Sequence, residues 1–164
     1  METPNDDHYK RLETLAENRE AAVAVAAVAK RELALFSRDL EIPLYDKDEF
    51  IRTVQELATR SRMSRIRIVC IDAGPSIRAG HRLVGLAQRF SSYIEVRQAS
   101  HDHASLAETF MVADEAAVLY RPIFTRYEGY ADVHAPLEAR KFLKQFAEIW
   151  EKAEPDPEFR RLGI

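Results

Sequence analysis

The stretch RIRIVCID, residues 65–72, constrains this chain more than any other. Its second half is continuously apolar, so as a strand it has no face to offer water. It therefore belongs at the centre of a sheet covered on both sides. Such a sheet needs helices above and below and further strands alongside, and the flanking sequence provides both. ELALFS (32–37) and YIEVRQA (93–99) are strand-like runs. Phe50, Ile51, Val54, Leu57 and Ala58 recur at helical spacing over 47–61, with Asp46 or Asp48 placed to cap that helix. After the strand, Asp72 leads into the loop AGPS (73–76), which opens a helix with Ile77, Leu83, Val84, Ala87 and Phe90 on its inner face.

Residues 8–31 contain no Gly or Pro and are rich in Ala, Glu, Arg and Leu, which predicts one long helix. Its middle, EAAVAVAAVAK, is apolar nearly all round. That is more than one domain face needs, so the helix either makes a homodimer contact or folds back on its own sheet. ETFMVADEAAVLY (108–120) reads as a hairpin, with strands 108–113 and 117–121 around Asp114-Glu115-Ala116. HDHASLA (101–107) is a loop or single turn, and RPIFTRYEGYADVHA (121–135) a polar connector. A last helix over 135–153 carries Pro136 in its first turn and Leu137, Phe142, Phe146, Ile149 and Trp150 as its apolar face. The order predicts an α/β fold, a mixed sheet flanked by helices. The expected division is a helical segment at 1–31, the α/β domain at 32–153 and a tail at 154–164.

Composition narrows the setting. The chain has 164 residues, enough for one domain with a sizeable core. No apolar run approaches the ~20 residues that span a bilayer, and the acidic start METPNDDHYK is not a signal peptide. A single cysteine, Cys70, excludes an internal disulfide and fits a reducing compartment, so a cytoplasmic protein is expected. Net charge is −3, yet residues 60–97 hold 8 Arg and no Lys against only Asp72 and Glu95. An acidic chain with a basic middle is not expected to bind nucleic acid in general, but it can hold one anionic ligand.

ELALFSRDLEIPLYDKDEF, RIRIVCIDAGPS and ETFMVADEAAVLY, in that order over residues 30–153, resemble one half of the phospholipase D superfamily. RDLEIPLYD, RAGHRLVGLAQRF, the VAD strand end and FLKQFAEIWEKAEPDPEFRRL are similar to a bacterial domain of unknown function within that superfamily, sometimes fused behind acetyltransferase domains. The resemblance implies a motif strand carrying His-x-Lys and, four residues on, Asp. There His attacks phosphorus, Lys holds the phosphate oxygens and Asp supports the His of the partner half-site. Members with a single motif pair two copies, which adds to the homodimer expectation. Here Asp114 survives, while Ala107 stands in the His place and Thr109 in the Lys place, and neither supplies a nucleophile or a cation. Taking His103 as the motif His puts Ser105 and Phe110 in the other two places, which fails as well.

The remaining chemistry-bearing residues fall into groups. Arg78, Arg82 and Arg89 with His81 lie near one face of the helix from 76 and, with Arg60, Arg62, Arg65 and Arg67, form a candidate anion-binding surface. Asp72 sits at the carboxyl end of the central strand, where it caps a helix start or meets a ligand. Tyr120, Arg121, Arg126, Tyr127 and Glu128 follow the hairpin, where the resemblance places the closing side of a cleft. His101 and His103 are weak metal candidates for want of a third ligand motif. Cys70 reads as an inert core thiol and Trp150 as packing. No cofactor motif is present. The leading expectation is a non-catalytic binding or interaction module for an anionic small molecule or a protein partner. The alternatives are an enzyme using Asp114, His101 or His103 and the arginines on a phosphorylated small molecule, and a structural docking module.

Overall fold

The computed structural model describes residues 8–156. Its first element corrects the long-helix reading. Tyr9–Leu12 is a strand (β1), and the helix runs only over Leu15–Val28 (α1). Thr14 sets that start: its hydroxyl accepts the Glu17 N–H at 3.1 Å, and the Glu17 carboxylate accepts the Thr14 N–H at 3.0 Å. This reciprocal cap fixes where helical geometry begins, and the residues before it go to the sheet. Ala21, Ala22, Val25 and Ala26 of α1 are buried in one cluster with Leu33 and Leu35, so the Ala/Val face packs on the chain's own sheet.

Glu32–Ser37 (β2) leads to a one-turn helix, Ile42–Tyr45 (α2), which sequence spacing did not predict, and then to Asp48–Arg60 (α3). The cap of α3 is Lys47 rather than either aspartate, because Asp46 and Asp48 bind Arg82 instead. Arg65–Cys70 (β3) pairs in parallel with β2 in register Leu33↔Ile66 through Ser37↔Cys70. The helix expected from 76 is two pieces, Gly74–Arg78 (α4) and Arg82–Arg89 (α5). Gly80 breaks it with φ 76°, a left-handed conformation that glycine adopts without steric cost. Ile94–Gln98 (β4) is parallel to β3, and His101–His103 is a 3₁₀ turn.

Thr109–Ala113 (β5) and Ala117–Arg121 (β6) form the expected hairpin, with Asp114 in the left-handed region at φ 51°. The connector after it is not wholly irregular: Gly129–Asp132 (β7) pairs with both β6 and β1. A Cβ on Gly129 would lie 2.1 Å from the Tyr120 carbonyl oxygen, so the close approach of β7 to β6 requires glycine. Pro136–Lys152 (α6) is the last helix, but Leu137 is 70% exposed and not part of its packed face. The tail begins with a two-residue strand, Glu154–Pro155 (β8), on β4; its remainder from 157 lies outside the described residues, as does the start through residue 7.

Among the described residues the eight strands make one mixed sheet in the order β1-β7-β6-β5-β2-β3-β4-β8. The apolar core on one face combines α1, α3 and α5 with the sheet, and the core on the other combines α6 with Phe36, Val69, Phe110 and Val118. The central strand reading holds: Ile68, Val69 and Cys70 of β3 are buried between the two. The carboxyl ends of β2, β3 and β4, the start of β5 and the end of β6 share one edge of the sheet. The opposite edge carries the start of β2 and β3 and the end of β5.

Candidate functional site

The hairpin strand carrying the motif positions has its two ends on opposite sheet edges. At its start, the Ala107 carbonyl accepts the Phe124 N–H at 2.8 Å, so the connector after β6 is tied onto the His place. Thr109 is 2% exposed and donates its hydroxyl to the Phe36 carbonyl at 2.7 Å. Its role in the Lys place is thus internal to the sheet. At the far end, the Asp114 carboxylate accepts the backbone N–H groups of Lys30 at 2.9 Å, Arg31 at 3.2 Å and Glu32 at 2.9 Å. That carboxylate holds the junction between α1 and β2.

Arg121 is the centre of the carboxyl edge. It is 1% exposed, and its guanidinium donates to Glu41 at 2.8 Å, to the Arg126 carbonyl at 2.8 Å and to the Phe124 carbonyl at 2.6 Å. The Tyr127 ring lies 5.4 Å from the guanidinium carbon. One buried cation therefore shapes the whole loop from Phe124 to Tyr127, and a buried charge so fully bonded is stable only as a set. Burial pushes the Glu41 carboxyl above the ordinary range, and Arg121 pulls it back in part. Leu40 and Glu41 have φ of 66° and 26°, a strained pair for residues with side chains. Their surroundings over-determine them: Ser37 accepts the Leu40 N–H at 3.0 Å, Asp39 accepts the Glu41 N–H at 3.0 Å, and the Ser76 hydroxyl donates to the Asp39 carbonyl. Between this loop, Pro75–Ser76 and Phe124–Tyr127 lies a pocket of about 410 Å³. The Arg38 guanidinium stands 4.6 Å over the Phe124 ring beside it.

The residues singled out in the sequence are spread across the fold. His81 is 2% exposed and caps α5: its Nδ1 accepts the Leu83 N–H at 3.1 Å, and its Nε2 donates to the Leu40 carbonyl at 2.9 Å. Burial holds its pKa below the usual imidazole value. Arg82 donates to Asp46 at 2.6 Å and to Asp48 at 2.5 Å. His81 and Arg82 thus clasp the segment RDLEIPLYD to GHR. Arg78 is exposed on α4, across the Gly80 break from Arg82, and Arg89 stacks on Phe90 at 5.2 Å. Asp72 is exposed and accepts the Gly74 N–H at 3.2 Å at the start of α4, although the cap residue of that helix is Ala73. Arg121 and Tyr127 do come together. Arg60 donates to the Ala29 carbonyl at 2.6 Å at the end of α1. His101 and His103 lie on the carboxyl edge and Asp114 on the other, so the three are not in one place. Among the described residues no group of three or more His, Cys, Asp and Glu could hold a metal. Cys70 is fully buried, and burial pushes its thiol well up, which leaves it unreactive. Trp150 stacks on Phe146 in the core. Glu41 and Arg38 were not singled out, and their only sequence signal is their place at the end of a strand in RDLEIP.

In three dimensions the chain is similar to TrmBL2, an archaeal chromatin protein described as having a novel mode of DNA binding. The TM-score is 0.67 at 16% identity, covering 94% of this chain and 56% of that one, so this chain spans little more than half of TrmBL2. It is similar to Nuc from Salmonella typhimurium, a phospholipase D family member, with a TM-score of 0.65 at 13% identity, covering 90% of this chain and 97% of that one. It is similar also to NucT from Helicobacter pylori, with a TM-score of 0.60 at 12% identity, covering 90% and 99%. These likenesses show a phospholipase-D-like fold. No curated protein matches the chain in sequence. The sequence itself, over residues 14–162, places the chain in the family described as Domain of unknown function (DUF7931).

Proposed function

We propose that this chain is a phospholipase-D-like domain that performs no phosphodiester transfer and works as a binding module for an anionic, phosphate-bearing ligand. The observation that carries this reading is the start of β5. Ala107 offers no nucleophile and is bonded through its carbonyl to Phe124, and the Thr109 hydroxyl is committed to Phe36. Arg121, the nearby cation, is spent on Glu41 and two loop carbonyls rather than on a substrate phosphate. The surplus of arginines in residues 60–97 supports the anionic ligand. His81 and Arg82 are not part of that reading, since both are used by the fold. TrmBL2 is described as binding DNA; the net charge of −3 favours a small anion over a long polyanion here. The homodimer enters the reading as two copies of one module, joined elsewhere than through the buried face of α1.

Two measurements test it together. Bis(p-nitrophenyl) phosphate is expected to be hydrolysed no faster than in buffer. A thermal-shift series at low salt with inorganic phosphate, phosphate esters and short DNA is expected to raise Tm with a phosphorylated small molecule, the rise fading as salt is added. Hydrolysis above background would overturn the non-catalytic half of the proposal, and a flat series the anion-binding half.

A further inference from the structure

We infer that the anion's seat is a notch at the amino edge of β3 and β4, built from Arg62, Ser64, Arg65, Arg67, Ser91 and Ser92, and that it takes a dianionic phosphate group. This inference rests on the anion-binding reading above and gives it a place. The notch is a cavity of about 300 Å³ where the end of α3 turns into β3 and the end of α5 turns into β4. It lies at the other end of the sheet from the carboxyl-edge pocket, whose walls carry the carboxylates of Asp39 and Glu41.

Two buried donors on residues that line this notch lack partners among the described residues. The Ser64 hydroxyl belongs to a residue only 5% exposed and has no hydrogen-bond partner, and neither has the Arg67 Nε. A buried donor left unmade carries a desolvation cost that a bound oxygen would remove. The charges agree. Arg62, Arg65, Arg67 and Arg97 stand against Glu32 and Glu95, which is four positive and two negative, or +2. Arg97 is the partner of Glu95 at 2.8 Å, and Glu32 reaches Arg67 only at 3.5 Å, so among the described residues Arg62 and Arg65 are left to face a ligand. Arg62 and Arg65 are exposed, as are Ser91 and Ser92, whose hydroxyls add donors of the kind a phosphate accepts. Guanidinium forks match phosphate oxygens bidentately, and a local +2 matches a dianion rather than a singly charged diester. The Arg67 guanidinium lies 5.2 Å and 5.8 Å from the centres of the Phe146 and Trp150 rings, which fixes its position before any ligand arrives.

Isothermal titration of the whole chain at low salt, pH 7.5, decides the matter, with phenyl phosphate, inorganic phosphate and a short single-stranded DNA as probes. The expected result is that Arg62→Glu with Arg65→Glu weakens phosphate binding at least about tenfold, while Arg78→Glu at the other sheet edge leaves it unchanged. Ser64→Ala, which changes no charge, is expected to weaken binding several-fold with the same unfolding midpoint. Arg62→Ala with Arg65→Ala serves as the milder pair should charge reversal impair folding. Tighter binding of phenyl phosphate assigns a monoester and tighter binding of inorganic phosphate the free ion; either supports the dianion seat. Binding that survives in the double variant but fails in Arg78→Glu overturns the notch and leaves the anion-binding reading standing. An unaltered chain that binds none of the three probes overturns both, and binding of the DNA alone overturns the dianion assignment.

Discussion

His81 shows how a residue that looks like a ligand becomes part of the frame. Its Nε2 must carry a proton to donate to the Leu40 carbonyl, and its Nδ1 must be bare to accept from the Leu83 N–H. Only the neutral imidazole satisfies both, and burial accordingly lowers its pKa. The folded chain then binds the His81 proton more weakly than the unfolded chain, so its contribution is whole above the unfolded value of about 6.5 and is lost as pH falls through the depressed folded value. We expect the urea midpoint to fall between pH 7.5 and pH 5 more steeply in the native sequence than in His81→Asn. At pH 7.5 the variant should be less stable by about 1–3 kcal/mol, the cost of buried bonds left unmade. Parallel pH profiles would remove His81 from that role. In the sequence His81 stood beside Arg78 and Arg82 as an anion ligand, because spacing alone continues a helix through 79–81. The left-handed Gly80 that breaks it leaves no periodic mark. Glu41 was illegible for another reason: its partner Arg121 lies 80 positions away.

At the level of elements, Asp114 ties a turn to a junction. Its carboxylate gathers three backbone N–H groups where α1 passes into β2, and its own N–H donates back to the Glu32 carbonyl at 2.8 Å. Asp114→Ala should therefore cost about 1.5–3 kcal/mol in urea unfolding, the range for hydrogen bonds to a charged group. Asp114→Asn should cost less, since it keeps one acceptor oxygen and tolerates a φ of 51°. An alanine variant as stable as the native chain would show that the junction holds without the clamp. The hairpin itself was legible, because buried runs on both sides of Asp-Glu-Ala leave few alternatives. The edge strands were not. β1 exposes Tyr9, Lys10 and Arg11 and buries only Leu12, so it lacks the alternation that marks a strand and shares a helix-forming composition with α1. β7 is four residues whose strand identity comes from β1 and β6 on either side. Helix ends set by side-chain bonds, as at Thr14, could have been read from T-x-x-E at 14–17.

For the molecule as a whole, the central apolar strand was enough to foretell a two-sided sheet, and the order of elements around the hairpin enough to foretell a phospholipase-D-like fold. What the sequence could not convey is how Ala107 and Thr109 are tied into the sheet and the connector. Thr109 is bonded inside the sheet, the Phe124 N–H is bonded to the Ala107 carbonyl just before β5, and Arg121 holds the carbonyls of Phe124 and Arg126. Putting back the two missing side chains therefore should not put back the chemistry. In Ala107→His with Thr109→Lys, a lysine at a 2%-exposed position meets no carboxylate in the bonds seen there and loses the hydroxyl bond to Phe36. An unpaired buried cation costs about 3–5 kcal/mol, and in a domain this size each kcal/mol moves Tm by about 2–4 °C. The double variant is expected to melt roughly 10 °C lower and to hydrolyse bis(p-nitrophenyl) phosphate no faster than the native chain. If instead it melts normally and turns the diester over, two side chains were all that separated this fold from the reaction. The loop over Ala107 would then be a movable cover, and the binding role proposed for the domain would have to be drawn from a site still open to substrate.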